Sequence, residues 1–284
     1  MILIYIYINY IMKKGLKRDT TDKFYTKNNI VIECLDNISK YISIKDDDII
    51  IEPSAGNGAF LLELKKQYPN NKILAFDIKP DIEEIIVLDF LKFDYEPIKD
   101  KTIHIIGNPP FGRQSSTCKK FIKYCCSFAT TISFILPKSF KKDSCKKIFL
   151  LDFHLKLSID LDDDAFTLDD KDHNVPSIFQ IWKKESTERL VVKDEISKYI
   201  SFVKKEDKPD LSIRRVGVNT TKCDKEIDDK SVQSHYFVKV KEDIDIDSFL
   251  EKFNKLNFND KDNTVGPKSI SKPELIKTVN TIQF

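Results

Sequence analysis

Glycine is scarce in this chain, 7 residues in 284, against a usual frequency of about 7%. Glycine-rich flexible or collagen-like architectures are therefore excluded, and each glycine inside a motif gains weight. The 6 cysteines include no CxxC pair, and none of the 4 histidines stands at zinc-like spacing from them. Neither a structural metal nor a disulfide framework is spelled out, and reduced thiols in an intracellular protein are expected. A cytoplasmic location is the expectation, with the nucleus or a viral factory left open. No apolar run approaches the roughly 20 residues that span a bilayer. The apolar and aromatic stretch at residues 1–12 has no basic residue before it and no small-residue cleavage site after it, so neither a secretory signal nor a membrane anchor is expected. Residues 1–21 read as a flexible tail, with Met12 as a second possible start.

Charge of one sign is also lacking overall, the formal net charge being +2, so a polyanionic partner can be inferred only from uneven distribution. The distribution is uneven. Arg113 to Lys147 holds nine Lys/Arg against the single acid Asp143, whereas Asp152 to Asp172 holds eight Asp against Lys156 and Lys171. The acidic stretch lacks the glycine and terminal Glu of a calcium loop, and Asp160 to Asn174 reads as a long mobile loop.

What is present centres on Asn108-Pro109-Pro110-Phe111, directly after the apolar run Ile103-His104-Ile105-Ile106. That run reads as a buried strand, and two prolines end it because neither can donate to a sheet ladder. In an open α/β sheet the carboxyl ends of strands are where ligands bind. A planar amino group can donate to the Asn108 side-chain oxygen and the Pro109 carbonyl while Phe111 stacks on its ring. Taken alone, the motif could equally be a rigid strand-ending turn.

Upstream, an amphipathic helix is expected over Asn29 to Ile42, with Ile32, Leu35, Ile38 and Ile42 at helical spacing and Thr26 or Asn28 near its cap. Asp48 to Leu64 reads as strand, small-residue turn and helix. Gly56 and Gly58 let the backbone approach a ligand, and Ser54 lies in the same turn. Glu52 stands at that strand's tip. Lys72 to Ile78 is a second strand ending at Asp77-Ile78, 25 residues past Glu52, where an acid can accept both hydroxyls of a ribose. Glu84 to Leu88 is a third, closed by Asp89-Phe90, an acid and a ring suited to an adenine. Strands follow at Thr130 to Leu136, Leu155 to Leu161 and Ser177 to Trp182, making seven. Tips carrying Glu52, Asp77, Asp89 and Asn108 would share one edge of a doubly wound parallel sheet and form one composite pocket.

After Lys184 the texture changes. Lys193 to Lys204 reads as helical, Ile213 to Val218 and His235 to Val240 as strands, Ile246 to Leu256 as a helix, and Ser271 as the cap of a last helix. The expected organisation is a domain at 22–184 and a small α/β appendage at 185–284.

With these residues assembled, the chain resembles the AdoMet-dependent amino-methyltransferases acting on nucleic acids, in particular the adenine-N6 group. The resemblance covers residues 22–184 and rests on Asn108-Pro109-Pro110-Phe111, on Glu52-Pro53-Ser54-Ala55-Gly56-Asn57-Gly58, and on Asp22-Lys23-Phe24-Tyr25-Thr26 as the upstream element. It implies a Rossmann-like sheet of seven mostly parallel strands with the last one reversed. It implies S-adenosyl-L-methionine as cofactor, its methionine end at Gly56, Gly58, Tyr25 and Thr26, its ribose on Asp77, and its adenine at Ile78, Asp89 and Phe90. Asn108, Pro109, Pro110 and Phe111 would hold the target base, with no metal required. Arg113, Lys119, Lys120, Lys138, Lys141 and Lys142 are the candidate phosphate contacts. The implied partner is nucleic acid, DNA before RNA. Residues 185–284 are small for the recognition domain of a restriction-system enzyme, which keeps RNA open. Protein-glutamine methyltransferases present a similar planar amide to a related motif ending in Tyr, and a non-catalytic subunit of the same fold is a third class.

Overall fold

The computed structural model describes residues 24–168, 171–191 and 193–284. The expected tail at 1–21, the second start at Met12, Asp22-Lys23 of the upstream element and Asp169-Asp170 lie outside the described residues.

The chain divides into two compact units. The first runs up to Leu136 and includes Leu155–Val175 and Phe179–Lys184; the second comprises Pro137–His154, Pro176–Ile178 and Glu185–Phe284. The sequence reading kept 137–154 with the first domain, and this stretch groups instead with the second.

In the first unit β1 (Tyr25–Thr26) leads into α1 (Asn28–Tyr41), followed by β2 (Ile49–Glu52), α2 (Ala59–Gln67), β3 (Lys72–Asp77), β4 (Ile86–Val87), β5 (Ile103–Gly107), α3 (Ser116–Cys125) and β6 (Thr131–Pro137). Beyond a short helix α4 (Asp143–Lys146) come β7 (Phe153–Asp160), β8 (Phe166–Leu168), β9 (Lys171–His173) and β10 (Ser177–Lys184). Seven strands form one sheet in the order β4-β3-β2-β5-β6-β10-β7. The β4-β3, β3-β2, β2-β5 and β5-β6 pairings are parallel. The Lys184 amide donates to Thr130 O at 2.9 Å and the Lys138 amide to Pro176 O at 3.0 Å, so β10 runs against β6. The mostly parallel sheet with a reversed β10 is the fold expected from the sequence.

Central strands buried on both faces need near-continuous apolar runs, and β2, β5 and β6 are buried along their whole length. On α1 the buried face is Ile30, Val31, Cys34, Leu35 and Ile38, while Ile32 is 43% exposed. Of the expected stripe, Leu35, Ile38 and Ile42 are buried and Ile32 alone faces outward. The N-cap is Lys27, between Thr26 and Asn28 as expected, and no side chain caps it.

The stretch expected to be a loop long enough to be mobile, 160–174, carries paired strands on either side of Asp169-Asp170. β8 and β9 form an antiparallel hairpin and β8 pairs with β1, while Lys27 bridges Asp164 and Asp172 at 2.8 Å each. Acids that looked merely solvating in sequence flank this one lysine.

The second unit builds a four-stranded antiparallel sheet from β11 (Ile200–Val203), β12 (Leu211–Arg214), β13 (Cys223–Asp224) and β14 (His235–Val240), in the order β11-β14-β12-β13. Helices α5 (Ile246–Asn254) and α6 (Lys272–Val279) bury Phe249, Phe253, Leu275 and Val279 in its core. The expected helix at 193–204 is not formed; β-branched and aromatic Ile200-Ser201-Phe202-Val203 pairs with β14 instead. Ser271 caps α6 as read, in a reciprocal box with Glu274.

Candidate active site

The carboxyl ends of β2, β3 and β5 surround a cavity of about 350 Å³, and the loops after these strands supply most of its wall. Of the residues singled out in the sequence, Tyr25, Ser54, Gly56, Asp77, Ile78, Asp89, Phe90, Asn108, Pro109, Pro110 and Phe111 line it. Thr26, Glu52 and Gly58 are not among the lining residues.

Glycine is favoured at the turn after β2 by backbone conformation. Gly56 and Gly58 adopt φ of +53° and +81°, a left-handed region that costs an L-residue about 1–2 kcal/mol. A Cβ on Gly56 would reach van der Waals contact with the Tyr25 ring, at 3.4 Å. The Gly56 amide donates to Asp77 Oδ2 at 2.9 Å, and the Lys79 amide to Asp77 Oδ1 at 2.8 Å. Asp77 therefore braces the turn while its carboxylate, with further lone pairs, borders the cavity. The next loop is tied back too: the Asp81 amide donates to Gly56 O at 3.0 Å, and the Tyr25 hydroxyl donates to the Asp81 carboxylate.

Asn108 leaves β5 with its amide Nδ2 donating to Thr26 Oγ1 at 3.2 Å. Its backbone carbonyl accepts from Ser54 Oγ at 3.0 Å. With both held, Oδ1 is buried and has no partner. An unmet buried acceptor costs about 1–3 kcal/mol, which makes it a candidate for a ligand's donor. Downstream, past Gly112 at φ +68°, the backbone is strained at two non-glycine residues, Gln114 and Ser115, with φ of +54° and +59°. Such clustering of unfavourable conformations favours functional sites.

Glu52 also has a buried oxygen without a hydrogen-bond partner, Oε2. Burial pushes its carboxyl up to about 8, opposed by a hydrogen bond from the Leu61 amide and aided by the charge of Asp77. It lies against Gly107, where an added Cβ would stand 3.3 Å from Glu52 Cγ.

Phe90 departs from the simple stacking picture. It is 1% exposed and sits among Phe76, Phe93, Phe121 and Tyr124, so it supplies a fixed wall rather than a free face. Ile78, 66% exposed at the cavity, has the open apolar surface. Asp89 accepts from the Leu91 amide at 3.2 Å.

The candidate phosphate contacts separate. Arg113 and Lys120 are exposed, and Lys119 donates to Gln114 O at 3.3 Å, in the strained loop; all three belong to the first unit. Lys138, Lys141 and Lys142 belong to the second. Lys142 donates to Ser269 O at 2.9 Å and to Glu274 at 3.2 Å, both side chains being largely buried. Its ammonium is thereby committed to the fold of that unit.

Phe24, Lys79, Thr117, Phe121, Phe166 and Val175 also line the cavity and were not on the sequence-derived site. Phe24 belongs to a recognised motif, but Phe166 and Val175 reach the cavity only because the β8-β9 hairpin folds onto β1.

No protein-family model matches the chain. It is 37% identical over 71 residues to the type II methyltransferase M.CvrRI of Paramecium bursaria Chlorella virus XZ-6E, a match covering 22% of this chain and 18% of that protein. The chain thus aligns with under a fifth of the length of this curated relative. Among solved structures, the methyltransferase subunit of a type I restriction-modification system from Streptococcus thermophilus aligns at TM-score 0.43 and 18% identity, over 59% of this chain and 47% of that one. An rRNA methylase from Streptococcus thermophilus aligns at TM-score 0.37 and 14% identity, over 56% and 97%. The fold assignment rests on the strand order and pairings themselves.

Chemically, the first unit brings together a glycine turn that exposes backbone, an acid at the next strand tip, an apolar wall, and an amide oxygen ready to accept. Among the described residues no three His, Cys, Asp or Glu side chains cluster as metal ligands, and no helix is long and apolar enough to cross a membrane.

Proposed function

We propose that this protein is an AdoMet-dependent methyltransferase that transfers a methyl group to the exocyclic N6 amine of adenine in DNA. The observation that carries the reading is the buried, unpartnered Oδ1 of Asn108, on a residue that lines the same cavity as Gly56 and Asp77. The residues present fit an adenosyl cofactor. Gly56 leaves open the space that a Cβ would fill beside Tyr25, Asp77 keeps lone pairs for a ribose, and Ile78 and the Phe90 wall suit an adenine ring. Asp89 is the acid for its amino group, with Thr26, Glu52, Ser54 and Gly58 supporting the turn and its surroundings.

When bound, the cofactor supplies an electrophilic methyl group on a sulfonium. The chain's own residues prepare the acceptor. Asn108 Oδ1 and the Pro109 carbonyl accept the two hydrogens of the target amine, which favours a pyramidal nitrogen and frees the lone pair that the ring otherwise delocalises. Pro110 fixes the direction in which the chain leaves the sheet, and Phe111 stacks on the base. Because the acceptors lie in a cavity, a base in duplex DNA must be flipped out of its stack. Arg113, Lys119 and Lys120 beside the motif are the proposed phosphate contacts, with Lys138 and Lys141 as contacts from the second unit.

The 71-residue likeness to a type II methyltransferase favours DNA over RNA. Phe111 lacks the hydroxyl of the motif in protein-glutamine enzymes. Labelled AdoMet offered with DNA, RNA and a glutamine-bearing release-factor-like protein tests all three; label entering DNA, and lost with Asn108→Ala, is the expected outcome. Label only in protein or RNA overturns the substrate assignment.

A further inference from the structure

The second unit presents one loop that is held rigid and exposed at once. Between β12 and β13, the Gly217 amide donates to Lys268 O at 2.9 Å and the Ile270 amide to Arg215 O at 3.0 Å. Val216 and Ser269 pair as an antiparallel bridge. Thr220 Oγ1 lies 2.6 Å from Gly217 O and 2.9 Å from Lys268 O. Gly217 and Thr221 are both left-handed, at φ of +102° and +80°, a conformation unfavourable for a β-branched residue and kept only where its surroundings enforce it. Above this bracing stands Val218, 92% exposed.

The cations at the foot of the loop differ from their neighbours. Lys268 pairs with Asp262 and Lys222 with Asp224. Among the described residues no carboxylate pairs with Arg214, Arg215 or Lys272. These three are fixed by uncharged groups instead. Arg214 Nε donates to Val216 O at 3.1 Å. Arg215 lies over the Tyr236 ring at 5.4 Å and Lys272 over the Phe202 ring at 4.5 Å. Ring faces hold a cation in position without neutralising it.

We propose that this loop, with Arg214, Arg215 and Lys272, is where the second unit docks on a nucleic-acid strand, the cations meeting phosphates and Val218 packing against sugar or base edges. The inference rests on the reading of the protein as a nucleic-acid methyltransferase. Guanidinium forks match phosphate oxygens in bidentate geometry, an exposed apolar tip suits insertion against bases, and a pre-braced loop has little order left to lose on binding. An acidic protein surface would satisfy the charges, but gives an exposed valine between them no comparable role.

The test is binding of a labelled DNA duplex and a labelled DNA single strand across a salt series, with wild type, Arg215→Ala/Lys272→Ala, and Arg215→Lys/Lys272→Arg. Each lost phosphate contact lowers the slope of log K against log salt by about 0.9 on duplex. The alanine pair is expected to flatten that slope by about 2 and the charge-preserving pair to leave it unchanged, both keeping the wild-type melting temperature. Wild-type affinity and slope in a folded alanine pair would overturn this surface alone, because wild-type binding would still stand. Failure of wild type to bind either probe would overturn the DNA reading and this inference together. If the alanine pair does not fold, Arg215→Gln/Lys272→Gln takes its place: a slope flattened by about 2 supports phosphate contact, and a wild-type slope contradicts it.

Discussion

Thr26 and Asn108, far apart in sequence, meet at 3.2 Å, and the amide hydrogen that Asn108 gives to the threonine hydroxyl turns its other end, Oδ1, into a fixed acceptor. An asparagine free to rotate would present either end of its amide to a substrate. Held in this way, it presents only the oxygen. A short strand that pairs with the β8-β9 hairpin, and so looks remote from chemistry, thereby sets the polarity of the residue at the centre of the proposed site.

Replacing Asn108 by alanine removes that acceptor without touching the glycine turn. Transfer is expected to fall about 10²–10³-fold, the scale seen when one pre-positioned polar group is lost from a transition state. Cofactor affinity, measured by calorimetry, should stay within a few-fold of wild type. Thr26→Val should act in the same direction but more weakly, because Oδ1 remains while its orientation is no longer enforced.

Gly58→Ala should destabilise the protein by about 1–2 kcal/mol through the left-handed backbone at φ +81°. The steric contact, with the end of the flexible Ile82 side chain, is the smaller difficulty because that methyl can move. Denaturant melts measure the loss, and cofactor affinity should fall with it.

The Tyr25–Asp81 hydrogen bond crosses the Gly56 turn, which the Asp81 amide also holds. Tyr25→Phe keeps the ring beside Gly56 and removes only the latch. Its loss, about 1 kcal/mol, should speed cofactor dissociation roughly fivefold in stopped-flow measurements and leave the melting temperature close to wild type.

Glu52 gives a pH signature. Its folded pKa, about 8, lies above its unfolded value near 4.5, so between these limits the folded state binds more protons than the unfolded one. Stability from this group is fully present below the unfolded pKa and is lost as pH rises through the folded one. Glu52→Gln should abolish that decline, and stability curves of the two proteins should diverge progressively from pH 5 to 8, with the variant the more stable at the upper end.

Much of this was legible in the sequence because the informative residues are locally encoded. Ile49–Glu52 with its glycines, Lys72–Asp77, and Ile103–Gly107 running into Asn108-Pro109-Pro110-Phe111 each announce a strand and its tip within a few residues, and the sheet order then brings the tips together. What was missed depends on pairing between distant segments. The hairpin of β8 and β9 is made of short strands whose acids read as a solvated loop, and only β1 and Lys27 give them structure. Phe166 and Val175 carry no local sign that they line a cavity. Lys142 looked like one more cation in a basic run until Glu274, remote in sequence, claimed its charge. The helix expected near Lys193 failed for the converse reason, since charged residues suggested a helical face where tertiary pairing with β14 decided for a strand.

The account turns on which atom receives the methyl group. DNA treated with the protein and radiolabelled AdoMet, digested to nucleosides and separated, should carry its label in N6-methyl-2′-deoxyadenosine and lose it with Asn108→Ala. Label in a ring-carbon or ring-nitrogen methyl product, or undiminished label in the Asn108→Ala variant, would contradict the assignment of Asn108 and Pro109 as acceptors for an exocyclic amine.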